Sequence, residues 1–558
     1  MINADKMKEF DYVIVGGGSA GCTLAARLSE DPANSVLLIE AGASRGNLFD
    51  FWKIEMPAAF DNVWRNPKYN WMFQGEPEPT LNNRRIFQPR GKVLGGSSAI
   101  NGMVFIRGHA LDFERWANEE GAMGWSWREV LPYFKRLETW EAGETRYRGG
   151  SGPVYVRKGN YPTELYDIFV EAGKQAGYPV TDDINGECQE GFGALQANIS
   201  NGVRASAAQA YIRPNSGRSN LTIVDRAHAE GLIIEGNRVS GVNFQKAGKS
   251  GFSALARKEV IVASGAIGSP QLLMLSGIGP EDELKTLGIE CKVNLPGVGQ
   301  NLQDHPLVYM KFQIEKPVSM SRYMRPDLMA YAGTRWVATH TGPGATNHVE
   351  TCALMRSDPA VAHPDVEIQY LPIMMDHDDG VKPGLHGFTY CIGPSRVEGV
   401  GWVKLASRDP RAAPRILSNF LATDYDLHLM RRAVEMGREV ASQPAHKGLG
   451  VKEIEPGPHV GTRTEMIEYL RNNVAGDFHL CGTCKMGSGR DAVVDSELRV
   501  HGIEGLRVVD ASIMPSIVNA NTNATTIMIA EKASDMILGK PPLPQADVPI
   551  PGRQPAAA

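Results

Sequence analysis

A histidine and two cysteines lie close together in the segment GDFHLCGTCKMG, residues 476–487. His479, Cys481 and Cys484 suit either part of a metal site or a single imidazole with sulfur atoms packed beside it. A structural zinc site needs four ligands, commonly as two pairs, but this chain has one C-x-x-C pair, and the nearest other cysteine is Cys391. The pair also lacks a thioredoxin-like context. The spacing therefore predicts no metal site, and the role of the histidine depends on the elements that position it.

A glycine turn near the N-terminus predicts a dinucleotide site. Gly16, Gly18 and Gly21 follow a short β-branched apolar run and precede the helix-like sequence CTLAARLSE. In this spacing the first glycine allows a tight turn, the second lets the backbone approach a pyrophosphate, and the third lets the helix pack on the strand. Glu40 ends the next apolar run, where a carboxylate can accept hydrogen bonds from an adenosine ribose. NAD and FAD both use such a turn.

Two later segments favour FAD over NAD. A buried-strand pattern over Val260–Ala263 ends before Gly265, where a helix is predicted to begin, and another such pattern ends at Asp510. A nucleotide domain that collects strands from both ends of a chain suits a large, deeply buried cofactor. The glycine turn and these two strands together predict an FAD-binding domain.

Composition excludes several functional classes. The 558 residues suggest two to four domain-sized units, and a formal net charge of −5 gives no reason to expect nucleic acid as a partner. No apolar run approaches the ~20 residues of a membrane-spanning helix, and the first ten residues have no secretory features. Seven scattered cysteines without an export signal predict reduced thiols and a cytoplasmic location. The last residues, 541–558, are rich in proline and alanine and are predicted to be flexible.

Several long segments resemble one enzyme family. GKVLGGSSAIN and GAIGSPQLLMLSGIG resemble the two signature segments of the glucose–methanol–choline (GMC) oxidoreductases. LPGVGQNLQDH, the region around His479 and the C-terminal DASIMPSIVNANTNATTIMIAEKASDMI resemble further segments of that family, in order, from about residue 10 to residue 538. YNWMFQGEPEPTLNNRR, GYPVTDDINGECQEGFG and FHLCGTCKMG are most similar to the choline-oxidising bacterial branch. The resemblance implies FAD-dependent oxidation of a small primary alcohol to its aldehyde, with choline or a choline-like substrate favoured.

The resemblance also implies the fold. We expect an α/β chain, α+β overall, with a discontinuous Rossmann-like FAD-binding domain and a substrate domain whose mainly antiparallel sheet is flanked by helices. The predicted FAD-binding parts are 8–155, 216–305 and 476–540, the last with the active-site segment, and the predicted substrate parts are 156–215 and 306–475.

Alcohol oxidation removes a hydroxyl proton and a hydride, and the flavin accepts the hydride. His479 matches the first active-site position of the family and Asn521 the second, so the imidazole is predicted to be the base and the amide to donate to the same oxygen. Some members attach the flavin to a histidine at the position of Ile100, and FAD is therefore predicted to bind non-covalently. The predicted cofactor-binding residues are Gly16, Gly18, Ser19, Gly21, Glu40, Ala41, Arg90, Gly95, Gly96, Ser97, Asn101, Gly102, Val104, Ala263, Gly265, Asp510, Ala511, Asn521 and Thr522.

Recognition of choline calls for aromatic faces and a carboxylate around its fixed charge. By resemblance, Trp71 and Glu350 are candidates for these groups, and Phe478 and Asn523 are further predicted substrate contacts. Asp477 is also predicted to contact substrate, although the family usually has a small or apolar residue there. An acid at this position would favour a cationic or polyhydroxy substrate or disfavour oxygen at the flavin, and it inclines the prediction to a dehydrogenase over an oxidase.

Other activities remain open within the resemblance. The alternatives are an oxidase or a dehydrogenase of another alcohol, whether aliphatic, aryl or furanic, polyol or hydroxyacid, and a hydroxynitrile lyase, which keeps FAD without net redox chemistry. The electron acceptor, be it a quinone, a dye-like compound or O₂, is not given by the sequence. Peripheral contact with a membrane is compatible with the absence of a spanning segment.

Overall fold

The computed structural model describes residues 8–44, 51–376, 380–381 and 384–550. The α-helices are α1 (Ser19–Leu28), α2 (Phe51–Glu55), α3 (Phe60–Trp64), α4 (Ala110–Asn118), α5 (Trp127–Leu137), α6 (Glu164–Gln175), α7 (Gly265–Leu275), α8 (Glu281–Thr286), α9 (Pro326–Thr339), α10 (Asp424–Ala441), α11 (Arg463–Asn473) and α12 (Thr522–Ile537).

The β-strands are β1 (Lys8–Val15), β2 (Val36–Ile39), β3 (Phe73–Glu78), β4 (Arg84–Gln88), β5 (Glu138–Trp140), β6 (Val154–Lys158), β7 (Gly191–Ala194), β8 (Gln196–Ala197), β9 (Ile199–Ser200), β10 (Val203–Arg204), β11 (Leu221–Val224), β12 (Ala227–Glu235), β13 (Arg238–Lys246), β14 (Lys249–Val262), β15 (Ile278–Gly279), β16 (Val293–Asn294), β17 (Pro306–Gln313), β18 (Thr351–Met355), β19 (Val366–Leu371), β20 (Met375–Asp376), β21 (Gly380–Val381), β22 (Gly387–Pro394), β23 (Trp402–Lys404), β24 (Arg415–Leu417), β25 (Lys452–Glu455), β26 (Ala475–Gly476) and β27 (Leu506–Val508).

One sheet collects strands from both ends of the chain, as predicted. Its order is β11-β2-β1-β14-β13-β12, and β27 pairs with β14. β11, β2, β1, β14 and β27 run parallel, whereas β13 and β12 form an antiparallel edge. Apolar residues of β1, β2 and β14 are buried on both faces, as is typical of parallel strands. The carboxyl ends of these strands meet at one edge, and Gly16, Glu40, Ala263 and Asp510 follow there.

A second sheet is antiparallel throughout, with the order β25-β17-β22-β19-β18-β7, and β26 pairs with β17. Alternate residues of its central strands, among them Phe312, Ile368 and Tyr390, share a buried apolar cluster with residues of α6 and α10. Burial of each such side chain stabilises the fold by about 1.5–3 kcal/mol. The opposite face carries Tyr309 and Cys391, which pair directly, and it remains available for a site.

The C-terminal tail corrects one prediction. The described part of the segment expected to be flexible, residues 541–550, packs on α5. The backbone amide of Leu543 donates to the hydroxyl of Tyr133 at 3.1 Å, and Val548 is only 2% exposed. Leu543, Ala546, Val548 and Ile550 give this proline-rich segment enough apolar surface to bury. Residues 551–558 lie outside the described residues.

No helix in the described ranges is long and apolar enough to cross a membrane.

Candidate active site

A cavity of about 580 Å³ lies between the carboxyl edge of the first sheet and the face of the second sheet that carries Tyr309 and Cys391. This volume falls within the range of small-molecule and cofactor sites. Residues that follow β1, β2, β14 and β27 line one end, and residues of β17, β19 and β22 line the other. We refer to these as the nucleotide end and the alcohol end.

Most of the predicted cofactor-binding residues line this cavity. They are Gly16, Gly18, Ser19, Glu40, Ala41, Arg90, Gly96, Ser97, Asn101, Gly102, Val104, Ala263, Gly265, Asp510, Ala511, Asn521 and Thr522. Gly21 and Gly95 do not line it. A Cβ atom on Gly21 would lie 1.8 Å from the carbonyl oxygen of Gly16, and Gly95 has a φ of +97° in a turn, so both residues shape the backbone behind the cavity.

The glycine turn leaves open space where a bulky group can approach the backbone. Gly16 has a φ of +106°, and a Cβ atom there would lie 2.5 Å from the carbonyl oxygen of Ala263. In contrast, a Cβ atom built on Gly18 or on Gly102 meets no atom of the described residues within 4 Å. Both glycines border the cavity, so their backbones are accessible to an occupant. This cradle fits a pyrophosphate-bearing cofactor.

Helix N-termini provide favourable electrostatics for anionic groups. α1 begins at Ser19 and α12 at Thr522, both on the cavity wall, and their first backbone amides have no acceptor within the helix. The hydroxyl of Ser19 donates to Oδ1 of Asn523 at 2.7 Å and thereby joins the two helix ends. The N-terminus of α7 already has an acceptor for its first backbone amide, because Oδ2 of Asp510 accepts from the amide of Gly265 at 2.8 Å.

Glu40 lies at the nucleotide end with both carboxylate oxygens engaged. Oε2 accepts from the amide of Gly17 at 2.8 Å, and Oε1 accepts from the amide of Gly42 at 2.6 Å. Burial raises the pKa of Glu40 to about 7. Each carboxylate oxygen has a second lone pair, so the side chain retains acceptor capacity for a ribose hydroxyl.

His479 and Asn521, the predicted catalytic pair, meet on the cavity wall. The Nδ2 atom of Asn521 lies 2.8 Å from Nε2 of His479. His479 follows β26, which pairs with β17 of the second sheet, whereas Asn521 is the N-cap residue of α12, which packs on α1 of the nucleotide domain. The buried Oδ1 atom of Asn521 has no hydrogen-bond partner among the described residues. The amide therefore has an unsatisfied acceptor in addition to its contact with the imidazole.

The backbone around His479 is held by a partly buried arginine and a buried aspartate. Phe478 has a φ of +64°, which is strained for a side chain of this size. Its carbonyl oxygen accepts from Nη2 of Arg90 at 2.6 Å, and the amide of His479 donates to Oδ1 of Asp304 at 2.6 Å. Burial raises the pKa of Asp304 to about 7 and lowers the pKa of Arg90 to about 10. These contacts fix the direction in which the imidazole points.

A second histidine lies behind the first. Nδ1 of His305 is 3.0 Å from Nδ1 of His479, and the two rings are nearly perpendicular. Burial, together with His305 and Arg90, lowers the pKa of His479 well below its usual value. Burial also lowers the pKa of His305, to about 4. Both imidazoles are therefore neutral near pH 7, the state in which His479 can accept a proton.

Cys481 and Cys484 are free, buried thiols in the apolar core that surrounds the first sheet. Burial raises the pKa of each thiol well above its usual value. The described residues contain no group of three or more histidine, cysteine, aspartate or glutamate side chains arranged to hold a metal ion. The imidazole of His479 contacts nitrogen and oxygen groups, not these sulfur atoms.

The predicted substrate residues separate into two groups. Asp477 and Phe478 line the cavity beside His479, and Asn523 lines it where its Oδ1 accepts from Ser19. Trp71 also lines it, but its ring stacks on Phe73 and approaches His228 and Lys92, all outside the alcohol end.

Glu350 does not line the cavity, contrary to the prediction. Its Oε1 pairs with Nη2 of Arg157 at 2.7 Å, and the hydroxyl of Thr346 donates to the same oxygen. Its Oε2 accepts from the amides of Asn160 and Tyr161 at 2.6 and 3.1 Å. Burial opposes ionisation, but Arg157 and these donors lower the pKa of Glu350 below its usual value. The negative charge of Glu350 is therefore balanced by Arg157 and serves the structure outside the cavity.

Several lining residues were not identified from the sequence. Tyr309, Gln369 and Cys391 lie across from one another on β17, β19 and β22, and their side chains face the cavity. The signal in the sequence is a polar residue at alternate positions of an otherwise apolar strand. Trp64 on α3 is a further aromatic lining residue, and its ring centroid lies 5.6 Å from that of Phe478.

The geometry fits FAD. The open glycine backbones, the N-terminus of α1 and the acidic residue after β2 suit a dinucleotide, and the N-terminus of α12 with the unsatisfied Oδ1 of Asn521 lies beside His479. Ile100 lines the cavity and offers no nucleophile for covalent attachment of a flavin.

Comparisons with known proteins agree over nearly the whole chain. The N-terminal and C-terminal profiles of the GMC oxidoreductases match residues 10–307 and 398–530. An "oxygen-dependent choline dehydrogenase" of Vibrio vulnificus is 45% identical over 541 residues, 96% of each chain. The human "choline dehydrogenase, mitochondrial" is 45% identical over 552 residues, 98% of this chain and 93% of the relative.

Solved structures give the same result. A pyridoxine 4-oxidase of "Mesorbium loti" has a TM-score of 0.84 at 32% identity and covers 94% of this chain and 98% of its own. A formate oxidase of Aspergillus oryzae has a TM-score of 0.88 at 29% identity, with coverage of 95% and 98%. On these matches, and on a cavity built for a dinucleotide, the chain belongs to the GMC oxidoreductase family and is an FAD-dependent enzyme that oxidises alcohols.

Proposed function

We propose that this enzyme oxidises choline, or a small primary alcohol that resembles it, to the aldehyde, with His479 as the base. The observation that carries the proposal is the 2.8 Å contact between His479 and Asn521 on the wall of a cavity that also contains the glycine turn. Two polar groups from distant parts of the chain thus lie at one point, where a hydroxyl oxygen can contact both. The identity with curated choline dehydrogenases favours choline among the small alcohols.

The hydrogen-bond pattern assigns the protons of the pair. Asn521 Nδ2 can only donate, so Nε2 of His479 accepts, and the proton of the neutral imidazole lies on Nδ1. Nδ1 of His305, 3.0 Å away, then accepts a hydrogen bond from that N–H group. When an alcohol hydroxyl takes the place of the amide hydrogen at Nε2, the same lone pair accepts the hydroxyl proton. His305 therefore orients the base.

Negative charge that develops on the alcohol oxygen is stabilised by donors fixed in advance. The amide of Asn521 is anchored at the N-terminus of α12, and the partial positive charge of that 16-residue helix lies at the same point. Such donors stabilise the transition state because they need no reorganisation during the reaction. FAD, when bound, supplies the acceptor for the hydride.

An anaerobic panel of alcohols tests this function. The purified flavoprotein is mixed with choline, 3,3-dimethylbutan-1-ol, butan-1-ol, glycerol and lactate without oxygen, and the flavin absorbance is followed. We expect choline to bleach the flavin fastest. Faster bleaching by a neutral alcohol or by lactate would reject choline as the preferred substrate, and a flavin that stays yellow with every alcohol would favour the lyase alternative.

The electron acceptor requires a separate experiment. Consumption of O₂ with choline, compared with reduction of a quinone or a dye under anaerobic conditions, separates an oxidase from a dehydrogenase. We expect faster turnover with the quinone or dye, because the acidic side chain of Asp477 lies beside His479 at the alcohol end. The cytoplasmic location and peripheral membrane contact stay predictions from the sequence.

A further inference from the structure

The proposed substrate carries a fixed positive charge, but the carboxylate that the sequence offered for it, Glu350, is compensated by Arg157 outside the cavity. The alcohol end contains a different carboxylate. Asp477 lines the cavity, a quarter of its side chain is exposed, and its Oδ2 lies 3.5 Å from Nδ1 of His479. Its backbone amide donates to the carbonyl oxygen of His305 at 2.8 Å, which fixes its position. Within the described ranges, no lysine or arginine forms an ion pair with Asp477.

A second carboxylate lies behind the same wall. Glu367 on β19 is 7% exposed, and its Oε1 accepts from Nε2 of Gln369, a cavity residue, at 3.0 Å. Burial raises the pKa of Glu367 to about 7. Burial and the nearby Glu367 and Asp304 raise the pKa of Asp477 well above its usual value. A buried carboxyl group without a nearby positive charge has a raised pKa. A cation that binds beside it stabilises the ionised form and lowers its pKa.

The surroundings of Asp477 also fit a quaternary ammonium group. Trp64, Tyr309 and Phe478 line the cavity with it, and aromatic faces attract such cations. Two cations lie near these residues: the guanidinium of Arg65 is 4.1 Å from the Trp64 ring centroid and pairs with Asp61 at 3.0 Å, and Arg90 donates to the carbonyl oxygen of Phe478.

We propose that Asp477, supported by Glu367, selects alcohols that carry a fixed positive charge close to the hydroxyl group. This inference rests on the proposed function and names the residue that would determine its substrate preference. Oδ2 of Asp477 lies 3.5 Å from Nδ1 of His479, whereas the hydroxyl binds at Nε2, so a cationic group attached two carbons from the hydroxyl can lie between the carboxylate and the reacting atom. The same carboxylate disfavours hydroxyacids, because their charge has the same sign.

The test compares choline with 3,3-dimethylbutan-1-ol, in which carbon replaces the charged nitrogen at nearly the same shape. In Asp477→Asn we expect the ratio of kcat/KM for choline to kcat/KM for the neutral alcohol to fall by about 10–100-fold, mainly through KM for choline. Because both alcohols share one base, damage to His479 lowers both values and leaves the ratio unchanged. Asp477→Glu should restore part of the preference, and Glu350→Gln, the matched control, should leave the ratio at the wild-type value.

A binding measurement separates this inference from the proposed function. Tetramethylammonium is titrated into the oxidised holoenzyme, and the change in flavin absorbance gives its Kd. We expect the Kd for tetramethylammonium to rise by about 10-fold or more in Asp477→Asn and by less in Glu367→Gln. If Asp477→Asn does not retain FAD, Glu367→Gln alone tests the cation site. An unchanged ratio or an unchanged Kd would overturn the role of Asp477. Failure of all alcohols to reduce wild-type flavin would instead reject the proposed function, and the titration would still decide the cation site.

The pH dependence provides a further readout of the same carboxyl group. The cation requires the ionised form of Asp477, so kcat/KM for choline should rise as pH rises through the elevated pKa of this residue. The titratable and charged groups around it are Glu367, Asp304, His305, His479, Arg90, Tyr309 and Cys391. Asp304, His305, His479 and Arg90 act on both alcohols through the base, and burial raises the pKa values of Tyr309 and Cys391 well above their usual range, so these two groups stay neutral near pH 7. The fall of kcat/KM at low pH that is due to Asp477 should therefore appear with choline and be absent with the neutral alcohol. It should also disappear in Asp477→Asn. Identical profiles for the two alcohols would contradict the proposal.

Discussion

The two ends of the cavity are built by different means. The nucleotide end consists largely of backbone: glycines without side chains, the first amides of α1, and residues that follow parallel strands. The alcohol end consists of side chains from strands and loops that are far apart in sequence, including Tyr309, Gln369, Asp477 and Asn521. Changes at the first end should therefore affect retention of FAD, and changes at the second should affect the rate and the choice of alcohol in an enzyme that keeps its flavin.

The largest effect is expected for His479→Ala. Loss of a positioned base lowers the rate of flavin reduction by about 10²–10⁴-fold, while the flavin content per protein should remain near that of the wild type. The rate is measured by anaerobic rapid mixing with choline, and the content by the ratio of flavin to protein absorbance. The solvent-exposed His428 on α10 gives a matched control, His428→Ala, which should reduce as fast as the wild type. A fast His479→Ala enzyme would remove the base from the mechanism.

Asn521→Ala should have the next largest effect. Removal of one donor to a developing oxyanion costs about 10²–10³-fold in rate, and FAD should again be retained because the contacts of the glycine turn are unaffected. The same rapid-mixing experiment measures it. If the variant lost flavin but the flavin that remained were reduced at the wild-type rate, Asn521 would bind the cofactor and would not act on the alcohol.

Gly16→Ala should produce the opposite pattern. A side chain at a φ of +106°, 2.5 Å from the carbonyl of Ala263, forces the turn to shift. Strain of about 1–3 kcal/mol corresponds to roughly 5–150-fold weaker FAD binding. Affinity is measured by titration of the apoenzyme with FAD, and the reduction rate of the bound fraction should match the wild type. Normal FAD affinity would show that the turn is not part of the cofactor site.

Trp71→Leu should have the smallest effect of these variants on FAD binding. It tests whether Trp71 belongs to the nucleotide end or to the alcohol end. Trp71 contacts Phe73, His228 and Lys92, so we expect about 2–10-fold weaker FAD binding and no change in the preference for choline over 3,3-dimethylbutan-1-ol. The same FAD and alcohol titrations measure both effects. A changed preference between the two alcohols with normal FAD affinity would show that Trp71 contacts the substrate.

The difference between the ends also explains what the sequence could predict. The glycine turn, Glu40 and Asp510 act through local geometry at the ends of strands, and the strands themselves are apolar runs, so a local pattern sufficed. His479 and Asn521 were predicted through the resemblance to a family, and the structure brings them together.

The alcohol end was harder to predict because it depends on strand register. Tyr309 and Gln369 face the cavity only because β17, β22 and β19 pair in one register, which no local pattern gives. Glu350 was predicted as a substrate residue through the resemblance, and no local pattern could show that its partner, Arg157, comes from the distant strand β6. Residues 541–550 were predicted to be flexible from their proline- and alanine-rich composition, and the α5 surface on which they pack is remote in sequence.

A double-mutant cycle tests the central claim most directly, because it asks whether His479 and Asn521 act on one alcohol oxygen. Flavin reduction by choline is measured anaerobically in the wild type, in the two alanine variants and in the double variant. Groups that act as a unit are not additive, so the double variant should reduce its flavin no more than about 10-fold slower than His479→Ala alone. A double variant slowed by the full product of the two single effects would show that the residues act independently and would contradict the shared site.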